Sequence, residues 1–238
     1  MSNELTCRAY SSAGDSRSGR ICLVIVAGPQ GSGKSTAQRY LAERYSNIVT
    51  LIEAARILFD EDRSKGIVSG GALVGSGFEK RIMNLDLERM SKISLEGDSQ
   101  TIYLDETNIF SVAHESLRDP VFAQQMYESY MKALSGFRVG ILFANVPPEI
   151  SWMRRRRLYE RRYRGMTDFE ERIHKSHEYL WRIYPEMIKL YERLPFAKRL
   201  VHTAGLRSEL GPKLIGAFEY ICRELSATPI RRNAIPAR

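Results

Sequence analysis

Gly28-Pro29-Gln30-Gly31-Ser32-Gly33-Lys34-Ser35 follows the spacing G-x-x-x-x-G-K-[ST] in full, and Thr36 comes next. Each residue type there suits one task in holding the phosphate chain of a nucleoside triphosphate. Gly28, Gly31 and Gly33 let backbone N–H groups curl around an anion that side chains would obstruct. Gln30, Ser32 and Thr36 belong to the same cradle. Lys34 can reach the β- and γ-phosphates as a point charge, and the Ser35 hydroxyl can ligate Mg²⁺. A helix starting at the end of the loop adds a dipole that favours the anion. The plain alternative is a glycine-rich strand-to-helix turn with no ligand. The neighbours argue against it. An apolar run of strand length, 21–27, precedes the loop, and Ala37, Tyr40, Leu41 and Tyr45 form a helical stripe after it.

Two carboxylates close apolar runs elsewhere: Glu53 ends 48–53 and Asp105 ends 101–105. Ligands of open parallel sheets collect at the carboxyl ends of the strands. Either acid can therefore order Mg²⁺ through water or accept the proton of an acceptor hydroxyl. Arg56, three residues past Glu53, is a candidate for binding an acceptor anion. The alternatives are a surface helix pair for Glu53 and Arg56, and a cap or turn residue for Asp105. The segment 154–164 holds seven arginines and one glutamate. Arg154, Arg157 and Arg161 fall at i, i+3 and i+7, on one helical face. A lid that closes could lay such arginines on a transferring phosphoryl group and exclude water. A solvated basic helix is the alternative, and seven arginines in so short a segment exceed what solubility requires.

The elements that must position these residues alternate. Apolar runs at 21–27, 48–53, 101–105, 139–145 and 199–202 are separated by helical patterns, which implies a parallel sheet with helices on both faces. Helices are expected at 78–93, from Pro120 onward, at 148–164, at 169–194 with a break or kink at Pro185, and at 209–225. Residues 1–20 read as a disordered lead. A mobile loop is expected over 66–77, which holds five glycines, and a flexible basic tail over 226–238.

The chain has 238 residues and a formal charge of +8. One domain, 21–225, accounts for that length. The positive charge sits in the arginine segment and the tail, leaving a slightly acidic body, which a uniformly basic nucleic-acid binder would not have. No apolar run is long enough to span a membrane. Cys7, Cys22 and Cys222 lie at no metal-ligand spacing, so reduced thiols and a cytoplasmic location are expected.

The loop 28–36, with its continuation Ala37-Gln38-Arg39-Tyr40-Leu41, resembles that of nucleoside monophosphate kinases. The segment 141–164 (ILFANVPPEISWMRRRRLYERRYR) resembles the fourth strand and lid helix of thymidylate and deoxynucleoside kinases. The resemblance covers most of 21–225 in layout. It implies a three-layer α/β fold with a five-stranded parallel sheet and a helical arginine-rich lid at about 153–168. It also implies ATP and Mg²⁺ as cofactors and a small-molecule acceptor, a nucleoside or nucleoside monophosphate. Glu53 would be the base, as the acid after the second strand is in deoxynucleoside kinases. The third strand departs from those families. Leu104-Asp105-Glu106-Thr107-Asn108 resembles instead the Asp-x-Thr-Asn of polynucleotide and zeta-toxin-like kinases. Two rivals follow: a nucleic-acid-directed kinase using the basic lid and tail, and an ATPase using Asp105-Glu106 as a Walker B pair. The ATPase lacks room before the loop for its extra β-subdomain, and no Asn-Lys-x-Asp marks a GTPase. Oligomeric state, a homodimer included, is left open.

Overall fold

The computed structural model describes residues 20–65, 76–205 and 207–232. The expected lead at 1–20, apart from Arg20, and most of the glycine-rich loop at 66–77 lie outside the described residues.

Five strands form one parallel sheet in the order β2-β3-β1-β4-β5. They are β1 (Cys22–Ala27), β2 (Ile48–Thr50), β3 (Ile102–Glu106), β4 (Arg138–Asn145) and β5 (Ala197–His202). β1 is central and its six residues are all buried, as a strand covered on both faces must be. Its side chains alternate between two cores. Leu23, Ile25 and Ala27 pack with the helices α3 (Ser76–Glu96), α4 (Ser111–Ser116), α5 (Pro120–Leu134) and α7 (Phe169–Arg193). Cys22, Val24 and Val26 pack with α1 (Lys34–Arg44) and α8 (Arg207–Glu224). The three-layer architecture follows from this period of two. Asp119 caps α5 by accepting a hydrogen bond from the Phe122 N–H at 2.9 Å, and Pro120 fills the first turn. Of the helices not expected from sequence, α2 (Ala54–Ser64) and α4 bring residues to the site. The remaining helix, α6 (Pro148–Tyr163), carries the arginines.

Two expectations are corrected. Pro185 neither ends nor splits α7, which runs from Phe169 to Arg193. Its buried stripe of Leu180, Ile183, Met187 and Leu190 spans both sides of the proline, whose own ring faces solvent. That burial outweighs the one hydrogen bond lost. The tail makes backbone hydrogen bonds to the body of the domain as far as residue 232. The Ser46 N–H donates to the Ile230 carbonyl at 2.8 Å and the Arg232 N–H to the Arg44 carbonyl at 2.7 Å. Arg231 pairs with Glu219 at 2.5 Å. Residues 233–238 lie outside the described residues. Among the described residues no helix is long and apolar enough to cross a membrane.

Candidate active site

The loop after β1 takes a path that only glycine permits at key points. Gly28, Gly31 and Gly33 have φ of 140°, 77° and 93°. A Cβ at Gly28 would lie 2.2 Å from the Ala144 carbonyl oxygen of β4, so that position is closed to any other residue. α1 begins without a side-chain cap and without an acid in its first turn. Its N-terminal N–H groups and dipole are thus available to an anion. Lys34 is buried and its Nζ donates to the Gly28 and Pro29 carbonyls at 3.1 and 3.4 Å. Ser35 donates to Glu106 Oε2 at 2.8 Å, and Lys34 Nζ stands 4.0 Å from Glu106 Oε1. The Ser32 hydroxyl is buried and has no hydrogen-bond partner among the described residues.

The acid beside the loop is therefore Glu106, where Asp105 was expected. Strand register gives the reason. Asp105 lies opposite Ile25, and Glu106 opposite Val26. Asp105 thus faces the α3 layer and Glu106 the α1 layer. Arg89 donates to Asp105 Oδ1 at 3.2 Å and Asn108 Nδ2 donates to Asp105 Oδ2 at 2.6 Å, and Asp105 is not among the residues lining the cavity. Burial raises the pKa of Asp105 and of Glu106, and in each case a neighbouring cation, Arg89 or Lys34, opposes the shift. β3 then ends in a strained turn, with φ of 76° at Thr107 and 40° at Asn108. This turn lets the Thr107 hydroxyl donate to Glu53 Oε1 at 3.1 Å. Glu53 itself opens α2, its carbonyl accepting from the N–H groups of Arg56 and Ile57 at 3.0 and 3.2 Å. The Arg56 guanidinium approaches Ser35 Oγ at 3.5 Å.

The arginine-bearing helix α6 is also turned relative to expectation. Arg155, Leu158 and Arg162, again at i, i+3 and i+7, line the cavity, whereas Arg157 and Arg161 are exposed outside it. The phase is set by buried Ser151, Tyr159 and Tyr163. The Ser151 hydroxyl donates to the Gln30 carbonyl and the Tyr159 hydroxyl to the Gln30 side-chain oxygen, so Gln30 locks the helix to the loop. Arg154 donates to the Gly31 and Thr203 carbonyls at 3.0 and 2.6 Å, a tie between loop, lid and the end of β5. Arg155 Nε is buried with no hydrogen-bond partner among the described residues.

These groups open on one cavity of about 500 Å³. Gly28, Gln30, Gly31, Gly33, Lys34, Ser35 and Thr36 line one end. The other end is formed by α2, α3, α4 and α7. Phe59 and Phe78 stack there at 4.6 Å. Glu79 accepts from Arg118 at 3.1 Å, and Asp86 from the Tyr130 hydroxyl at 2.8 Å. His114 meets the Tyr179 hydroxyl, and burial pushes its pKa down to about 3, so its ring is neutral. Glu53, Arg56 and Glu106 lie between the two ends.

In the sequence Glu106 stands out only as half of a Walker B pair and Thr107 only within the Asp-x-Thr-Asn resemblance, and nothing singles out Glu79, Asp86, Arg118, Arg155 or Arg162. Counting by twos along β3 places Glu106 with Ile102 and Leu104, and counting by helical turns from Tyr159 places Arg155 and Arg162. The residues at the end of the cavity away from the loop carry no such local signal.

The sheet order, the glycine loop and the helices on both faces define a P-loop three-layer α/β fold. Among 264 solved chains that match this one is a deoxyadenosine kinase from M. mycoides, whose structure holds the product dCMP and a flexible dCDP. The match has a TM-score of 0.50 and 14% identity, and it covers 84% of this chain and 99% of that one. At that identity the likeness establishes the shared fold. No protein-family model and no curated protein match the sequence.

Proposed function

We propose that the protein is an ATP-dependent kinase. It would transfer the γ-phosphoryl group to a hydroxyl or phosphate of a small acceptor, a nucleoside or nucleoside monophosphate. One observation carries this reading: a phosphate-binding loop and a pocket of separate chemistry open on a single cavity, with Glu53 between them. The residues present fit a triphosphate. The Gly28 position has no room for a Cβ, and Ser32 Oγ and Arg155 Nε are buried polar atoms in want of a partner. They also fit Mg²⁺. Ser35 and Glu106 offer hard oxygen donors, and among the described residues no group of three or more His, Cys, Asp or Glu is placed to hold a metal alone. That suits a cation which shares its ligands with phosphate and water. When bound, Mg²⁺-ATP supplies the phosphoryl group and much of its charge neutralisation.

The chain's own residues divide the remaining work. Loop N–H groups and Lys34 hold the phosphates, Lys34 leaving its carbonyl partners to do so. Glu106 fixes Ser35. Glu53, oriented by Thr107, accepts the acceptor hydroxyl's proton. Arg155 and Arg162 meet the charge on the transferring group, while α6 shields it from water. Arg154 holds the lid to the loop, and Arg56 stands where an acceptor anion would approach. The deoxyadenosine kinase fold match supports this reading at the level of architecture. Incubation with γ-labelled ATP and a panel of nucleosides, nucleoside monophosphates, sugars and short oligonucleotides tests it. Label in a nucleoside or its monophosphate supports the proposal. Label only in oligonucleotides, or only in free phosphate whatever the acceptor, overturns it.

A further inference from the structure

We propose that Glu79, with Asp86 beneath it, determines which acceptor is used: these carboxylates accept hydrogen bonds from an amino-bearing nucleobase of the cytosine or adenine type and discriminate against keto bases of the thymine or uracil type. The inference rests on the kinase reading above and adds the chemistry of the acceptor.

The two ends of the cavity differ in charge. Lys34, Arg155 and Arg162 line the loop end, and Arg56 reaches toward Ser35. Beyond Glu53, Arg118 is the one cation among the described lining residues. It is already committed, standing 3.1 Å from Glu79 and 3.8 Å from Glu115. Glu115 is fully buried, and among the described residues neither of its oxygens has a hydrogen-bond partner. Arg118 thus answers two buried carboxylates at once, leaving this end short of positive charge. The segment 66–75, which joins α2 to α3, contains no Lys or Arg in sequence. A ligand group that donates hydrogen bonds restores the balance. One that presents only acceptor oxygens does not.

Geometry gives the direction of approach. Glu79, Ile82 and Asp86 all line the cavity from α3 at i, i+3 and i+7, a single face. Glu79 engages Arg118 through Oε1, and among the described residues nothing donates to Oε2. Asp86 takes the Tyr130 hydroxyl on Oδ2, and its Oδ1 has only a long contact of 3.4 Å from Arg89. The walls here include apolar side chains. The stacked Phe59–Phe78 pair and Ile82 suit a planar ring, and neutral His114 and Tyr179 add no charge. An aromatic amine between these walls would donate to free carboxylate oxygens. A ring carbonyl in that place would meet their lone pairs.

The test uses the full chain with Mg²⁺-ATP. The acceptors are cytidine, adenosine, uridine and thymidine, each also as its 5′-monophosphate, with kcat/KM measured for each. Wild type should favour amino bases over keto bases by roughly tenfold or more, as expected where a mismatch leaves a buried polar group unpaired. Glu79→Gln supplies a carboxamide N–H₂ that can donate to a ring carbonyl. It should narrow the amino-to-keto ratio about tenfold, with KM for ATP unchanged. Asp86→Asn should move the ratio the same way. A ratio measured within one variant does not depend on the fraction folded. Wild-type preference for keto bases, or variants that lower all acceptors in parallel, would overturn the inference and leave the kinase reading intact. If nothing in the panel is phosphorylated, the kinase reading fails and the inference falls with it.

Discussion

At the loop end of the cavity the groups that face a ligand are largely main chain: N–H groups around Gly28, Gly31 and Gly33 and the uncapped start of α1. At the opposite end they are side chains, drawn from α2, α3, α4 and the chain just past it, and α7. A main-chain site is encoded by adjacent residues, because backbone geometry depends on local sequence. A side-chain site is assembled by packing from residues far apart in sequence. The comparison accounts for what could be read beforehand. The loop, the strands and their parallel arrangement were legible, since glycine spacing and apolar periodicity are local signals. The helix at 148–164 was legible in extent but its phase was not, because seven arginines hide the rotation that Ser151, Tyr159 and Tyr163 set by burial. Which strand-end acid meets the loop was not legible either, since a single step along β3 reverses the face. The Glu79–Arg118 pair, with its partners 39 residues apart, gave no local signal.

If the loop end acts through fixed charge on the phosphates, removing that charge should have the largest effect in the molecule. Lys34→Ala should lower turnover by on the order of 10²-fold or more, with the fold retained. Steady-state transfer and a thermal melt check both halves of that statement. Near-native turnover would remove Lys34 from the reaction and with it the distinction between the two ends.

The middle of the cavity sharpens the comparison by separating metal from proton. Glu106→Gln should weaken Mg²⁺-nucleotide binding, because Ser35 loses the oxygen that fixes it at 2.8 Å. Glu53→Gln should spare ATP affinity and depress transfer by roughly 10²-fold, the usual scale for a positioned base. Thr107→Ala should fall between wild type and Glu53→Gln. Equal losses of Mg²⁺-ATP affinity in the Glu53 and Glu106 variants would show that their roles are not divided.

The lid offers an internal control. Arg155→Ala and Arg162→Ala should each lower kcat about tenfold with a smaller change in ATP affinity, since they would meet charge that develops during transfer. Arg157→Ala and Arg161→Ala, on the exposed face, should stay within about twofold of wild type. A lysine at 155 should rescue only in part, because a point charge cannot replace the guanidinium fork. If Arg157 and Arg161 proved the sensitive pair, the helix would rotate on closure. If all four instead lowered the salt dependence of oligonucleotide binding and left transfer unaltered, the basic helix would serve nucleic acid.

The smallest expected effect concerns protons at the acceptor end. Burial pushes the Glu79 carboxyl up to about 7, with Arg118 pulling it down and Glu115 and Glu53 reinforcing the rise. Burial and the Asp105 charge raise Asp86 as well, against the pull of Arg89 and the Tyr130 hydroxyl. The sign follows from what each form of Glu79 presents. Above about pH 7 it is ionised and accepts only. Below that it carries a proton and can donate to a ring carbonyl. The amino-to-keto ratio in kcat/KM should therefore rise by a few-fold between roughly pH 6 and pH 8. A bound amine hydrogen-bonds the ionised form, which lowers the Glu79 pKa in the complex and moves the midpoint for kcat below that for kcat/KM. In Glu79→Gln the ratio should be flat across the same range, because the carboxamide does not titrate. A wild-type ratio that ignores pH while the Glu79→Gln ratio still shifts at fixed pH would mean that Glu79 stays ionised throughout. Arg118 would then outweigh burial, and the two ends of the cavity would be alike in holding fixed charges.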